Sequence, residues 1–164
     1  MTCVSNSSVL IALSAVGLLG LLRERYPEGI VIPTAVWREV VEEGGDRLGT
    51  REVATAAWIT RQAPSDQRLV QLLRMELDAG EAEAIALAHE LSAMVVLLDE
   101  RDARRVAQGL GMEVLGTVGV LVWAKKTGRI ASLNEVREAL DNQARFRLSR
   151  ALWERALREV GESS

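Results

Sequence analysis

The sequence predicts an α/β fold, a three-layer α/β/α sandwich around a central parallel sheet. Residues 94–98 form a continuous apolar run, as expected of a strand covered on both faces. Short β-prone runs alternate with helical segments in the order βα-βα-ααα-βα-βα-αα, and strands separated by helices pair in parallel. At 164 residues and 48% hydrophobic content the chain can bury a core unaided. One domain over residues 1–164 is expected, with C-terminal helices from about 132.

Taken in order, residues 2–5 make a short opening strand, ended by Asn6, Ser7 and Ser8. Ser7 or Ser8 is the expected cap of the next helix, since a hydroxyl satisfies free first-turn amides. Residues 9–22 are apolar, yet too short to span a bilayer and without a basic start, so they read as a core helix broken near Gly17. Residues 30–32 form the second strand, and Pro33 and Thr34 open a helix over 35–43. On it Glu39 lies beside the apolar face of Val36 and Val40, whereas Glu42 and Glu43 read as exposed charge.

A modest helix over 47–57 leads to an edge strand at 58–60, and a further helix runs to about Leu77. Gly80 then opens a helix carrying Glu81 and Glu83, and Asp99, Glu100 and Asp102 cluster where the central strand ends. Residues 113–115 make the last strand, and Thr117 leads into a helix ending at Lys126. Ser132 and Glu135 fit a capping box, and Ser149 starts the final helix.

Composition removes several classes of function. One Cys and one His exclude an internal disulfide and disfavour a structural zinc site; His89 reads as a structural helix residue rather than a catalytic base. Neither GxGxxG nor GxxxxGK[ST] occurs, so nucleotide-binding folds gain nothing. A phospho-receiver would need an acidic pair after the first strand, where Asn6-Ser7-Ser8 stands instead. Net charge is −3, divided between a half that carries −7 (1–100) and one that carries +4 (101–164). Such a division fits a cation site next to a polyanion-binding surface. No targeting or membrane segment is expected, and a cytoplasmic location is the simplest reading.

The ordered segments SNSSVLIAL, IPTAVWREVVEEG, LDAGEAEAIALAHEL and VVLLDERDARRVAQGLGMEVLGTVGVL resemble the PIN-domain family, in its bacterial and archaeal toxin-like branch. The resemblance implies a Mg²⁺- or Mn²⁺-dependent ribonuclease, often the toxin of a toxin–antitoxin pair, restrained by a small antitoxin protein and often a homodimer. It puts the family's acids on Asn6, on Glu39, on Glu81 or Glu83, and on Asp99 or Glu100, with a hydroxyl at Thr117. The expected metal ligands are Glu39, Glu83, Asp99 and Asn6. Arg101, Arg104, Arg105, Lys125, Lys126 and Arg129 are candidates to hold RNA. Acids without a histidine base suit water activated by a bound cation. Asn6, in place of the family's first acid, opens the alternative of a catalytically weakened or inactive RNA- or protein-binding module.

Overall fold

The computed structural model describes residues 2–143, 146 and 148–163. Its centre is a five-stranded parallel sheet in the order β3-β2-β1-β4-β5. The strands are β1 (Cys3–Ser5), β2 (Ile30–Pro33), β3 (Ile59–Gln62), β4 (Val95–Leu97) and β5 (Val114–Leu115). Alternation along each strand decides the layers. Cys3, Ile30, Ile32, Val95 and Leu97 face one apolar cluster, and Val4, Val96 and Leu98 face the other. The sheet is therefore buried on both faces, as parallel sheets must be. This is the predicted α/β/α sandwich.

The first cluster is filled from α1 (Ser7–Ala15), α2 (Gly20–Arg25), α8 (Thr117–Lys126), α9 (Leu133–Asp141) and α10 (Arg150–Glu159). The second is filled from α5 (Gln67–Leu73), α6 (Ala79–Glu90) and α7 (Arg101–Gly109). Val36 joins the first cluster from α3 (Thr34–Trp37), which runs directly into a π-helical turn at Arg38–Glu42, and α4 (Thr50–Thr55) adds Val53. No helix among the described residues is long and apolar enough to cross a membrane.

Three local expectations are corrected. The helix expected over 35–43 is not α-helical throughout, because its second half widens into the π turn. The helix expected over 47–57 is trimmed to Thr50–Thr55, starting after Gly49 at a φ of 99°, which glycine adopts without strain. Neither Ser7 nor Ser8 caps α1. Asn6 holds the cap position without a side-chain bond, Ser7 Oγ donates to Glu39 instead, and Ser8 Oγ is buried without a partner among the described residues. The break near Gly17 is present, with φ 72° there between α1 and α2.

The C-terminal layer is fastened by one carboxylate. Glu162 accepts the Leu133 amide at 2.7 Å, the Asn134 amide at 3.1 Å and the Ser132 hydroxyl at 3.1 Å, and lies 3.7 Å from Lys125 Nζ. It thereby supplies the N-terminus of α9 with a charged cap from beyond α10. Burial raises the Glu162 carboxyl, but those donors outweigh it and hold the group below the ordinary carboxylate range. Its contribution is therefore full above that range and fades as pH falls through the lowered value. Glu162→Ala is expected to cost about 1–3 kcal/mol in urea unfolding at pH 7. The difference from wild type should shrink toward pH 3; a gap that is the same at pH 3 and pH 7 would contradict the charged-cap role.

Candidate active site

β1 and β4 lie side by side with Ser5 opposite Leu97, and the Asn6 amide extends the ladder by donating to Leu97 O at 3.0 Å. Both chains leave the sheet at the same edge. Asn6 follows one strand and Asp99 the other, which is where open α/β sheets form sites. Glu39 reaches this edge from the π turn, while Asp78 and Glu81 come from the start of α6. Asn6, Glu39, Asp78, Glu81, Asp99 and Glu100 all line one open cleft of about 820 Å³. Ile11, Arg47, Leu48, Phe146 and Leu148 also line it.

Each acid is held by a donor from the protein. Glu39 Oε2 accepts the Ser7 hydroxyl at 2.9 Å. The π turn that carries Glu39 buries the neighbouring Val40, whose carbonyl accepts the Thr50 hydroxyl at 2.8 Å; a side chain at Gly44 would collide with that bond. Such turns recur at functional positions because they re-aim one side chain without ending the helix. Asp78 and Glu81 form a reciprocal capping box, with the Glu81 amide 2.8 Å from Asp78 Oδ1 and the Asp78 amide 3.1 Å from Glu81 Oε1. Glu100 caps α7 through the amides of Asp102 and Ala103. Asp99 Oδ1 and Oδ2 accept the Thr117 amide and hydroxyl, both at 2.7 Å.

One oxygen stands apart from this pattern. Asn6 Oδ1 is buried and has no hydrogen-bond partner among the described residues, in a side chain only 5% exposed. A Cβ built on Gly80 would lie 3.0 Å from Asn6 Oδ1 and 3.4 Å from Glu39 Oε2, so both oxygens converge on the bare α-carbon. An unpaired buried carboxamide oxygen is costly unless something binds it. No three His, Cys, Asp or Glu side chains among the described residues form a group able to hold an ion between them. No all-carboxylate cage of the calcium type is preformed among the described residues. The cleft remains compatible with a Mg²⁺-like ion, which keeps several waters and takes one or two carboxylates. Asn6 Oδ1, Glu39 Oε2 and Asp99 fit that smaller demand.

The structure thus brings together Asn6, Glu39, Glu81, Asp99 and Glu100, with Thr117 fully buried behind Asp99. Glu83 is set differently: its Oε1 accepts the Ala35 amide at 3.0 Å and so caps α3, and it is not among the residues that line the cleft. One residue of helix turns the side chain by about 100°, so Glu81 and Glu83 cannot face the same way.

Most of the basic residues expected to hold RNA are also engaged elsewhere. Arg105 lies 3.6 Å from Glu76, Lys126 is 2.8 Å from Glu159, and Lys125 donates to Ala131 O and pairs with Glu162. Arg129 pairs with Glu24 and stacks on Trp123. Lys125 and Lys126 end α8, ~12 Å along its axis from Thr117. Arg104 bonds to the backbone at Leu98 O, and only Arg101, exposed beside Glu100, keeps the expected setting. Asp78 was not foreseen, although D-x-x-E at 78–81 is a legible capping box. Nothing in the sequence marks Arg47 or Phe146 as cleft residues.

A family model described as PIN domain matches residues 2–162. No curated protein matches the chain. Among solved structures, a PilT N-terminus domain protein from the hyperthermophilic archaeon Sulfolobus solfataricus P2 is similar at 16% identity, with a TM-score of 0.45. That match covers 91% of this chain and 98% of the archaeal one. With the family model spanning nearly every residue, the chain belongs to the PIN-domain family, whose members are typically nuclease-like and generally use divalent metal ions.

Proposed function

We propose that this cleft is the catalytic site of a Mg²⁺- or Mn²⁺-dependent ribonuclease, and that the protein is the toxin of a toxin–antitoxin pair. The observation that carries the hydrolase reading is the unpartnered, buried Asn6 Oδ1, which shares with Glu39 Oε2 the space beside the bare α-carbon of Gly80, in two residues that line the acidic cleft. RNA as substrate and a small antitoxin as partner rest on the family resemblance. A free ribonuclease would harm its host, so the reading requires that partner.

Asn6, Glu39 and Asp99 would hold the ion. When bound, a hard divalent cation neutralises the phosphate and acidifies a water for attack. The chain's own residues do the rest. Ser7 keeps Glu39 Oε2 aimed at the site, and Thr117 fixes both Asp99 oxygens, so neither carboxylate has to reorganise during the reaction. The first turn of α1 has no side-chain cap and begins at the cleft, where free amides favour an anionic phosphate oxygen.

Departure of the ribose oxygen needs a proton. Burial pushes the Glu81 carboxyl up to about 7, opposed by the Asp78 amide and assisted by the charges of Asp78 and Glu100. In the metal-free protein Glu81 therefore holds its proton about half the time near neutral pH. Its Oε1 takes the Asp78 amide, which leaves Oε2 to carry the proton toward the leaving oxygen.

A second reading is a PIN-like module that binds RNA or a partner protein without cutting. Asn6 in place of an acid favours it, as does the absence of a three-acid group among the described residues. Gel-shift binding that is indifferent to chelator, without cleavage, would select this reading.

Asp99→Asn puts an amide NH₂ against one of the two Thr117 donors. It should lower Mn²⁺-dependent RNA cleavage by at least about a hundredfold and abolish Mn²⁺ binding in calorimetry, with thermal unfolding still cooperative. Undiminished cleavage would remove Asp99 from the site.

Glu39→Gln should reduce the rate about tenfold or more. Glu42→Gln should change little, because Glu42 is exposed and its ion pairs, with Arg38 at 4.0 Å and Arg61 at 3.8 Å, are loose surface contacts. Equal losses in the two variants would refute the assignment of Glu39.

In chelated protein, a carboxyl raised to about 7 favours folding below its ordinary value near 4.5 and loses that advantage as pH rises toward 7. Glu81→Gln should remove this decline, about 1–2 kcal/mol across the window once the full shift of roughly 3 kcal/mol is discounted for solvent screening of a half-exposed group. Parallel stability–pH curves for variant and wild type would show that Glu81 titrates normally.

A further inference from the structure

Arg104 was expected to steer RNA, but its guanidinium is committed to the backbone. From the second turn of α7, Nη1 donates to Leu98 O at 2.9 Å, immediately before Asp99. Arg104 is half-buried and is not part of the cleft wall, whereas Asp99 and Glu100 are. It stands behind the acids.

Gly116 shows how closely these groups are set. A Cβ there would lie 2.8 Å from Asp99 Oδ1, 2.9 Å from Arg104 Nη1 and 3.3 Å from Leu98 O. Its backbone, at φ −110° and ψ −178°, is extended and open to any residue, so glycine is needed here for space alone. Gly116 also precedes Thr117, the residue that grips both Asp99 oxygens. The carboxylate, its two donors, the guanidinium and the strand-end carbonyl thus meet around one bare α-carbon.

We propose that Arg104 is a positioning residue for Asp99, pinning the strand end from behind the cleft so that the carboxylate stays seated on Thr117. This rests on the reading of the cleft as the catalytic site. A guanidinium suits the task, because one N–H fixes the carbonyl at the strand end and the group keeps its donors at every pH. An RNA-steering arginine would instead need its donors on the cleft surface.

The experiment compares Arg104→Ala, Arg104→Lys and Gly116→Ala, each checked for cooperative unfolding. Kinetics use an RNA oligonucleotide with Mn²⁺, and amide NMR follows the Thr117 N–H in chelated protein. Arg104→Ala and Gly116→Ala should each lower kcat by about tenfold or more at unchanged KM, since small misplacements of a reacting group are costly. Both should also shift the Thr117 amide resonance and speed its hydrogen exchange, while amides of α10 stay put. Arg104→Lys should recover most of the rate. A raised KM with wild-type kcat and a flatter salt dependence would make Arg104 an RNA contact and overturn the proposal. An unmoved Thr117 amide in both alanine variants would overturn it as well. If the wild-type protein cleaves no RNA, the nuclease reading fails, and the Thr117 amide still decides the role of Arg104.

Discussion

The pairing of β1 with β4 is the constraint on which the site depends. Ser5 opposite Leu97, continued by the Asn6 amide on Leu97 O, fixes where both chains leave the sheet. A slip of one residue would exchange the two faces of β1, sending Cys3 and Ser5 toward the cluster that Val4 now fills. It would also carry Asn6 away from the point it shares with Glu39. The core and the cleft are therefore specified by the same register, and neither can be altered without the other.

Around that edge, acids do structural work before any chemistry. Asp78 and Glu81 cap α6, Glu100 caps α7, and Asp99 ties the end of β4 to the start of α8. Helix N-termini tolerate negative charge because their free amides point at it. Three helices starting near one sheet edge thus allow a dense group of carboxylates to persist in the folded chain. The same donors keep the carboxylates apart, so the cleft has a few fixed oxygens instead of a closed cage. Such a site suits an ion that retains much of its water.

The architecture was legible because its signals are local and periodic. The apolar run at 94–98, the alternation of strand and helix, and the break at Gly17 all reappear in the structure. Asn6, Glu39 and Asp99 were legible as strand-end or core-edge oxygens. The choice between Glu81 and Glu83 was not, because both start the same helix and only the docking of α3 against α6 gives Glu83 its amide partner. The serine cap failed for a similar reason: Ser7 found a distant carboxylate rather than a local amide. Charge counting along the sequence does not show which charges pair. The basic half of the chain spends much of its charge on ion pairs with Glu159, Glu162, Glu76 and Glu24, which are scattered through the sequence.

That internal pairing bears on how a polyanion could approach. Lys125, Lys126 and Arg129 pair with Glu162, with Glu159 on α10 and with Glu24 on α2, so RNA bound there would compete with these ion pairs. At the cleft the positive elements are fewer and differently made: Arg47 on the wall, Arg101 beside Glu100, and the open first turn of α1. Against Glu39, Asp46, Asp78, Asp99 and Glu100, these leave the mouth acidic, so under the proposed function an approaching phosphate would meet net repulsion until a cation enters. Cation and substrate should therefore bind with positive coupling, each raising the other's affinity.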